Sequence, residues 1–210
     1  MIKHNFTGNI TKLENWIESY GQKGYVLTRV FHRCKYEFLQ TAPGGFIPKV
    51  RIDYHTFLKN ADYRDYVAMF EDSGWRHMYG SHYSGYQIFQ QGSPDVTDEI
   101  FSDRASKAER YKRIASYWFG LFCVYIPLLV VFQNNDTMNI RNLFHLKDMY
   151  YTPGLWERTG SDFWFGFLFE TPFAVGRAFG SWLFVILTLG FLITAIRAMY
   201  WYYREKKGSC

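Results

Sequence analysis

The chain has 210 residues, of which 48% are hydrophobic, 21% aromatic and 20% charged. The apolar share is that of an ordinary globular protein, so these proportions exclude both a disordered chain and a bundle buried entirely in a membrane. Residues 1–100 carry 11 Lys plus Arg and 11 Asp plus Glu. The whole formal charge of +5 therefore arises in the rest of the chain.

The first hundred residues alternate between the patterns of strands and helices. A strand, a helix and two further strands are predicted at 2–6, 13–22, 25–31 and 35–40. The same order is predicted again at 50–55, 62–72, 75–79 and 86–90. Glycine-containing turns at 44–45 and 84–85 separate pieces of the two series.

The two series align with each other at an offset of 50 residues. Their helices share one apolar face, in which Leu13, Trp16, Ile17 and Tyr20 fall against Tyr63, Tyr66, Val67 and Phe70. Gly24 and Gly74 then occupy equivalent positions, where a glycine with positive φ is expected to end the helix. The repeat predicts an α+β cytoplasmic domain at 1–100 that consists of duplicated βαββ units in a ferredoxin-like two-layer sandwich.

A candidate interaction surface is predicted on the second half of this domain. The strand at 50–55 alternates apolar with polar residues, which is typical of a sheet with one buried and one solvated face. Large rings beside a few polar groups provide binding area at low entropic cost. The predicted surface comprises Arg51, Asp53, His55, Trp75 and Tyr86. For Trp75 a place in the core is the alternative, because it directly follows the helix-ending glycine.

Two uncharged apolar runs of 19 residues each follow, at 114–132 and 178–196. At about 1.5 Å per residue, each nearly matches a hydrocarbon core of about 30 Å. They predict two transmembrane α-helices within a membrane domain at 101–210, with two buried helices of a soluble protein as the alternative. The aromatic stretch DFWFGFLFETPFAVG is too short and too interrupted for a third span, and it predicts an interfacial segment with Glu170 turned to water.

The charges that flank the two runs predict the orientation. Five basic residues against one Glu precede the first run, and they are Arg104, Lys107, Arg110, Lys112 and Arg113. The flank after the second run is also basic, whereas the segment between the runs carries a net negative charge. Because basic loops stay in the cytoplasm, we expect a multi-pass protein of the cell membrane with cytoplasmic N- and C-termini and an external loop at 133–177.

No catalytic or cofactor motif is found in the chain. Phosphate-binding glycine loops, nucleophile elbows, Cys-x-x-Cys pairs and HExxH are all missing from the sequence, so we expect neither an enzyme nor a bound cofactor or metal. His55, His77 and His82 fit no established ligand spacing, and they are equally well explained as strand residues. The zero net charge of residues 1–100 also argues against nucleic acid as a partner.

Several segments resemble an uncharacterised bacterial membrane protein family catalogued as domain of unknown function (DUF) 2812. They are GYVLTRVFHRCKYEF, VRIDYH, DYVAMFEDSGWRHM, YQIFQQ and EIFSDRASKAERYKR, and together they cover about residues 20–113. The resemblance implies a cytoplasmic N-terminal domain followed by membrane helices. Members of this family occur mostly in Gram-positive bacteria, often beside PadR-type repressor genes, which implies a role in envelope or drug stress.

These observations predict a membrane-anchored regulatory or sensory protein. Its cytoplasmic domain is expected to bind a protein partner or a small ligand and to convey the result through a helix at 103–132. A non-catalytic accessory subunit of a transporter is the alternative, and a lipid-acting membrane enzyme that uses Glu170 is a third. Membrane lipids are further expected partners, and the spacing of Gly176 and Gly180 leaves a homo-oligomer open.

Overall fold

The first half of the chain forms two three-stranded antiparallel sheets, each with one helix. In a computed structural model that describes residues 1–41, 45–56, 59–134 and 146–208, the elements of the first series are β1 (Ile2–His4), α1 (Ile10–Gly21), β2 (Tyr25–Phe31) and β3 (Lys35–Gln40). Those of the second are β4 (Val50–Tyr54), α2 (Asn60–Asp72), β5 (Trp75–Tyr79) and β6 (Tyr86–Gln91). The predicted α+β class is confirmed. The predicted turn residue Gly44 lies outside the described residues.

Both sheets place their third strand in the centre. Sheet 1 has the order β1-β3-β2 and sheet 2 the order β4-β6-β5, and every pairing is antiparallel. Strand β6 is buried throughout, with Ile88 and Phe89 inaccessible to solvent, whereas β3 buries one face through Tyr36 and Phe38. The ring of Trp16 on α1 packs edge-on against the rings of Tyr36 and Phe38, which places α1 against sheet 1.

Local signals explain where α1 begins and where both helices of this half end. The side chain of Asn9 caps α1 by accepting a hydrogen bond of 2.8 Å from the backbone N–H of Lys12. Gly24 and Gly74 follow α1 and α2 with φ of 80° and 84°, a region that L-residues with a Cβ rarely adopt. The predicted positive φ of these two glycines is therefore confirmed.

The chain then divides into two units by its internal contacts. Unit 1 comprises Met1–Ala115 and Arg197–Cys210, and unit 2 comprises Ser116–Ile196. Two long helices, α3 (Arg104–Asn134) and α4 (Gly160–Lys207), each contribute residues to both units. By length and composition, these are two helices apolar enough to cross a membrane.

Helix α4 is longer than predicted, and it corrects the expectation of a loop up to residue 177. The aromatic stretch expected at the interface is helical from Gly160 and continues without interruption into the second apolar run, with Pro172 inside the helix. Nor is Glu170 turned to water, because it is 6% exposed and accepts hydrogen bonds from the backbone N–H groups of Tyr151 and Thr152. These bonds hold the preceding segment against α4 in unit 2.

Candidate functional site

The outer edge of β4 is sealed by side chains from two helices of unit 1. Among the described strands β4 pairs with β6 alone, so its other edge would leave backbone groups without strand partners. Glu14 of α1 accepts a bond of 2.9 Å from the N–H of Ile52, and Arg110 of α3 donates a bond of 2.8 Å to the carbonyl of the same residue. Arg113 donates to the carbonyl of Tyr54 at 2.6 Å. The start of α3 is thereby fixed to the sheet.

Glu14 and Arg110 also form a buried, two-pronged ion pair. The two guanidinium nitrogens lie 2.6 and 3.1 Å from the two carboxylate oxygens, and the side chains are 3% and 0% exposed. Arg110 is one of the five basic residues that precede the first apolar run, but its side chain is not exposed, because a carboxylate 96 residues away in sequence holds it in the interior. A buried charge requires such a partner.

Thr11 joins three helices at a single hydroxyl group. Its Oγ1 accepts a bond of 3.2 Å from Arg110, lies 2.9 Å from the hydroxyl of Tyr111, and donates a bond of 3.2 Å to Glu205 of α4. The Tyr111 hydroxyl also lies 3.2 Å from the side-chain oxygen of Asn9. We call this group the polar network, and its members are Asn9, Thr11, Glu14, Arg110, Tyr111 and Glu205.

Asp53 is the centre of a second buried cluster next to the network. Its carboxylate pairs with Arg113, lies 3.2 Å from the His55 ring and accepts a bond of 2.9 Å from the Tyr66 hydroxyl. Burial alone would raise the pKa of Asp53, but the hydrogen bond from His55 and the charge of Arg113 lower it to about 2. Burial and the negative charge of Asp53 in turn raise the pKa of Tyr66. The cluster links β4, α2 and α3.

The predicted interaction surface is largely interior. Asp53, Trp75 and Tyr86 are 3%, 2% and 8% exposed, so these three residues offer no surface to a partner. The alternation in β4 suggested one solvated face, whereas both faces of sheet 2 are covered: α2 lies over Phe89, and the opposite face receives elements of the first series, including Arg33 stacked 3.9 Å from the ring centre of Tyr86.

Arg51 and His55 are the other two members of the predicted surface, and both remain partly accessible. Their side chains are 13% and 30% exposed. Arg51 pairs with Glu18 at 2.6 Å and with Glu99 at 3.3 Å, which leaves it little capacity for a further ligand. The alternative that the sequence left open for Trp75, a place in the core, agrees with its burial.

The remaining basic residues before the first apolar run differ from one another in their surroundings. Lys107 pairs with Glu99 at 2.7 Å, and Lys112 forms an exposed pair of 3.4 Å with Glu109. Arg104, at the first position of α3, is exposed and lines a cavity. The five basic residues before the first apolar run look alike in the sequence, but some of them form internal ion pairs and others face solvent.

That cavity has a volume of about 680 Å³ and lies wholly within unit 1. Its walls come from the start of α1, the segment before and at the start of α3, and the end of α4. Thr11, Tyr111 and Glu205 of the polar network line it, together with the rings of Phe101 and Trp201. A ligand in the cavity would therefore contact residues that connect both long helices to the α+β elements.

Thr11, Tyr111 and Glu205 were not predicted from the sequence. For Glu14, however, the sequence of α1 contains one usable signal. Ile10, Leu13, Glu14 and Ile17 share one face of α1 by their spacing, and the other three are apolar. A carboxylate on such a face indicates a buried cation. The partner itself has no local signature, since Arg110 lies in a run of five basic residues.

Three of the other groups considered for chemistry already have polar partners. His77 lies 3.1 Å from the side-chain oxygen of Gln87, and His55 contacts Asp53. Over the described ranges, no group of three or more His, Cys, Asp or Glu side chains is placed to hold a metal ion. Both carboxylate oxygens of Glu170 accept bonds from backbone N–H groups, and Arg177 pairs with it at 3.1 Å.

The fold and site define an α+β protein whose polar network joins α1 and β4 to two long apolar helices. The family model described as "Protein of unknown function (DUF2812)" matches residues 9–123, which is more than half of the chain. The chain therefore belongs to this family. The matched range contains Glu14, Asp53, Arg110 and Arg113, and it ends within α3. Comparison with curated proteins and with solved structures finds no match.

Proposed function

We propose that the chain is a membrane-anchored regulatory or sensory protein with both termini in the cytoplasm. Helices α3 and α4 cross the cell membrane, and the cytoplasmic α+β domain binds a protein partner or a small ligand. Binding changes the position of α3, which conveys the change to the membrane. The role is one of binding rather than catalysis, and the responses that it serves are those to envelope or drug stress.

The polar network is the observation that carries this proposal. Hydrogen-bond and ion-pair networks with two discrete arrangements can carry coupling between a binding site and a distant element. Thr11 bonds to α3 and α4, and Arg110 bonds to α1 and β4, so a displacement of any one of these elements disturbs the others. Since packed interiors are not continuously deformable, such a displacement passes on as a discrete shift.

The duplication of the α+β domain is part of the same proposal. Two βαββ units that share the strand order first-third-second are expected if one such unit was copied. The equivalent glycines Gly24 and Gly74, with nearly equal φ, support it further. In this view α1 and α2 occupied equivalent places originally, and α1 acquired the hydrogen bonds of the polar network to α3 and α4.

The proposal is tested by the transcripts of host cells exposed to membrane-active drugs. We compare a deletion strain with strains that express, at equal membrane levels, the wild type, Thr11→Val or the control Thr159→Val, which changes an exposed threonine outside the network. The deletion and Thr11→Val strains should share an altered response, and Thr159→Val should match the wild type. An unchanged response in the deletion strain overturns the proposal, as does altered drug export without a change of transcripts.

A further inference from the structure

The cavity of unit 1 contains two cations without an acidic partner. Lys12 in the first turn of α1 and Arg104 at the start of α3 both line it, are exposed, and form no ion pair with any residue that the structure describes. They approach the same space from two different helices. Two such charges favour a ligand that carries at least one negative charge.

None of the three acidic residues of the cavity forms an ion pair with Lys12 or Arg104 in the part of the chain that the structure describes, and each of them has another partner. Glu99 pairs with Lys107 at 2.7 Å. Asp103 caps α3 by accepting a bond of 2.6 Å from the N–H of Ser106, and Glu205 accepts the Thr11 hydroxyl. The positive ends of two helix dipoles, those of α1 and α3, also meet at this place and outnumber the one negative end, that of α4.

The apolar part of the lining lies near the ends of the two uncharged runs. Trp201 follows the second run by five residues and Tyr111 precedes the first by three, which is about 8 Å and about 5 Å along a helix. Tryptophan and tyrosine at this distance from an apolar span are typical of headgroup depth. Phe101 adds a third ring to the wall.

We propose that this cavity binds a phosphate monoester, with Lys12 and Arg104 on the phosphate and the rings on the carbon part of the ligand. The proposal rests on the proposed function, of which it names the ligand class. A phosphate dianion is matched by two cations, and the volume of about 680 Å³ admits a headgroup with its adjoining carbons. The monoester comes either from a membrane lipid or from a soluble metabolite.

The test measures binding to the full-length protein purified in a neutral maltoside detergent, with three probes. Palmitoyl lysophosphatidate carries both the phosphate and a chain, glycerol phosphate carries the phosphate alone, and monopalmitoyl glycerol carries the chain alone. Tighter binding of lysophosphatidate than of glycerol phosphate indicates a lipid source, and equal binding indicates a soluble one. Equal binding of lysophosphatidate and monopalmitoyl glycerol overturns the proposal, since the phosphate would then contribute nothing.

The variant Lys12→Gln/Arg104→Gln removes the two proposed phosphate ligands. Its matched control, Lys59→Gln/Arg64→Gln, removes two exposed cations at the start of α2 and changes the net charge equally. We expect the first variant to weaken binding of the phosphate probes by at least about tenfold and the control to bind like the wild type. Equal affinities of the two variants, or no binding to the wild type, overturn the proposal.

The outcome is independent of the test of regulation. If the phosphate probes do not bind, but the deletion and Thr11→Val strains share the transcript change, the ligand proposal is overturned and the regulatory function is retained. If the phosphate probes bind through Lys12 and Arg104, but no transcript changes, the binding site is confirmed and the regulatory function is overturned.

Discussion

Glu14 is a carboxylate on the apolar face of α1, and its neutralisation should destabilise the protein strongly. The change Glu14→Gln leaves the guanidinium of Arg110 buried without a counter-charge, which costs on the order of 3–5 kcal/mol. We expect a loss of this size in the free energy of unfolding, measured with denaturant on the full-length protein in detergent. The double change Glu14→Leu/Arg110→Met should cost less, because it removes both charges together.

An exposed ion pair on α3 provides the control for this prediction. Glu109 and Lys112 lie 3.4 Å apart with side chains 40% and 53% exposed, so Glu109→Gln should cost less than about 0.5 kcal/mol. If Glu14→Gln and Glu109→Gln proved equally mild, the ion pair of Glu14 and Arg110 would not hold α3 to the sheet.

The two helix-ending glycines should differ in their tolerance of a side chain. Both have positive φ, so Gly→Ala costs about 1 kcal/mol at either from backbone strain alone. A Cβ at Gly24 meets no atom within 4 Å, whereas one at Gly74 would clash with the Cγ2 methyl of Val96. Gly74→Ala should therefore be the more destabilising in thermal unfolding, and Gly74→Ala/Val96→Ala should recover part of the difference. A stabilising Gly74→Ala contradicts the assigned backbone conformation.

Among the secondary-structure elements, β4 shows best what the sequence reveals and what it does not. Its extent was predicted within a residue, because alternation and flanking turns are local properties. The same alternation suggested a solvated polar face, and this was wrong for Asp53. The reason is that α2 and α3 cover that face and bring Tyr66 and Arg113 from 13 and 60 residues away in sequence. Spacing within a strand carries no information about such distant partners.

The cluster around Asp53 makes the attachment of β4 to α3 sensitive to acid. The pKa of Asp53 is about 2 in the folded protein against an ordinary 3.8, so its ionisation stabilises the fold above about pH 4. This contribution, about 2 kcal/mol, is lost as the pH falls towards 2. Asp53→Asn should thus be less stable than the wild type at neutral pH, and the difference should vanish on acidification.

Unfolding of the full-length protein in detergent, followed between about pH 6 and about pH 2, checks this expectation. Asp65→Asn, at an exposed position of α2, serves as the control and should follow the wild type throughout. A difference between Asp53→Asn and the wild type that stays constant down to the lowest pH would mean that the charge of Asp53 does not stabilise the fold.

At the scale of the whole molecule, the sequence predicted the order of the elements but not the network that joins them. The apolar runs at 114–132 and 178–196 lie within α3 and α4, as composition alone indicates. Thr11 lies 100 residues from Tyr111 and 194 residues from Glu205, and each of the three is unremarkable in its own segment. Only the packing of the ends of three helices brings them together.

The length of α4 bears on the proposed topology. With 48 residues it is about 72 Å long, whereas a bilayer with its headgroups is about 40–45 Å thick. If 178–196 is the membrane span, then the helical residues 160–177 extend about 27 Å beyond it on the side opposite to the C-terminus. A residue just before α4 should then lie well clear of the bilayer on the external side.

Labelling of Thr159→Cys tests this topology, because Thr159 is exposed and directly precedes α4. Asn139 also belongs to the predicted external loop, but it lies outside the described residues. In a protein whose native cysteines are replaced by Ser, an impermeant thiol reagent should modify Thr159→Cys in intact cells. Lys59→Cys, exposed at the start of α2, should react only after permeabilisation, because basic flanks keep that side in the cytoplasm. The reverse pattern would invert the orientation, and equal reaction of both positions in intact cells would mean that no span separates them.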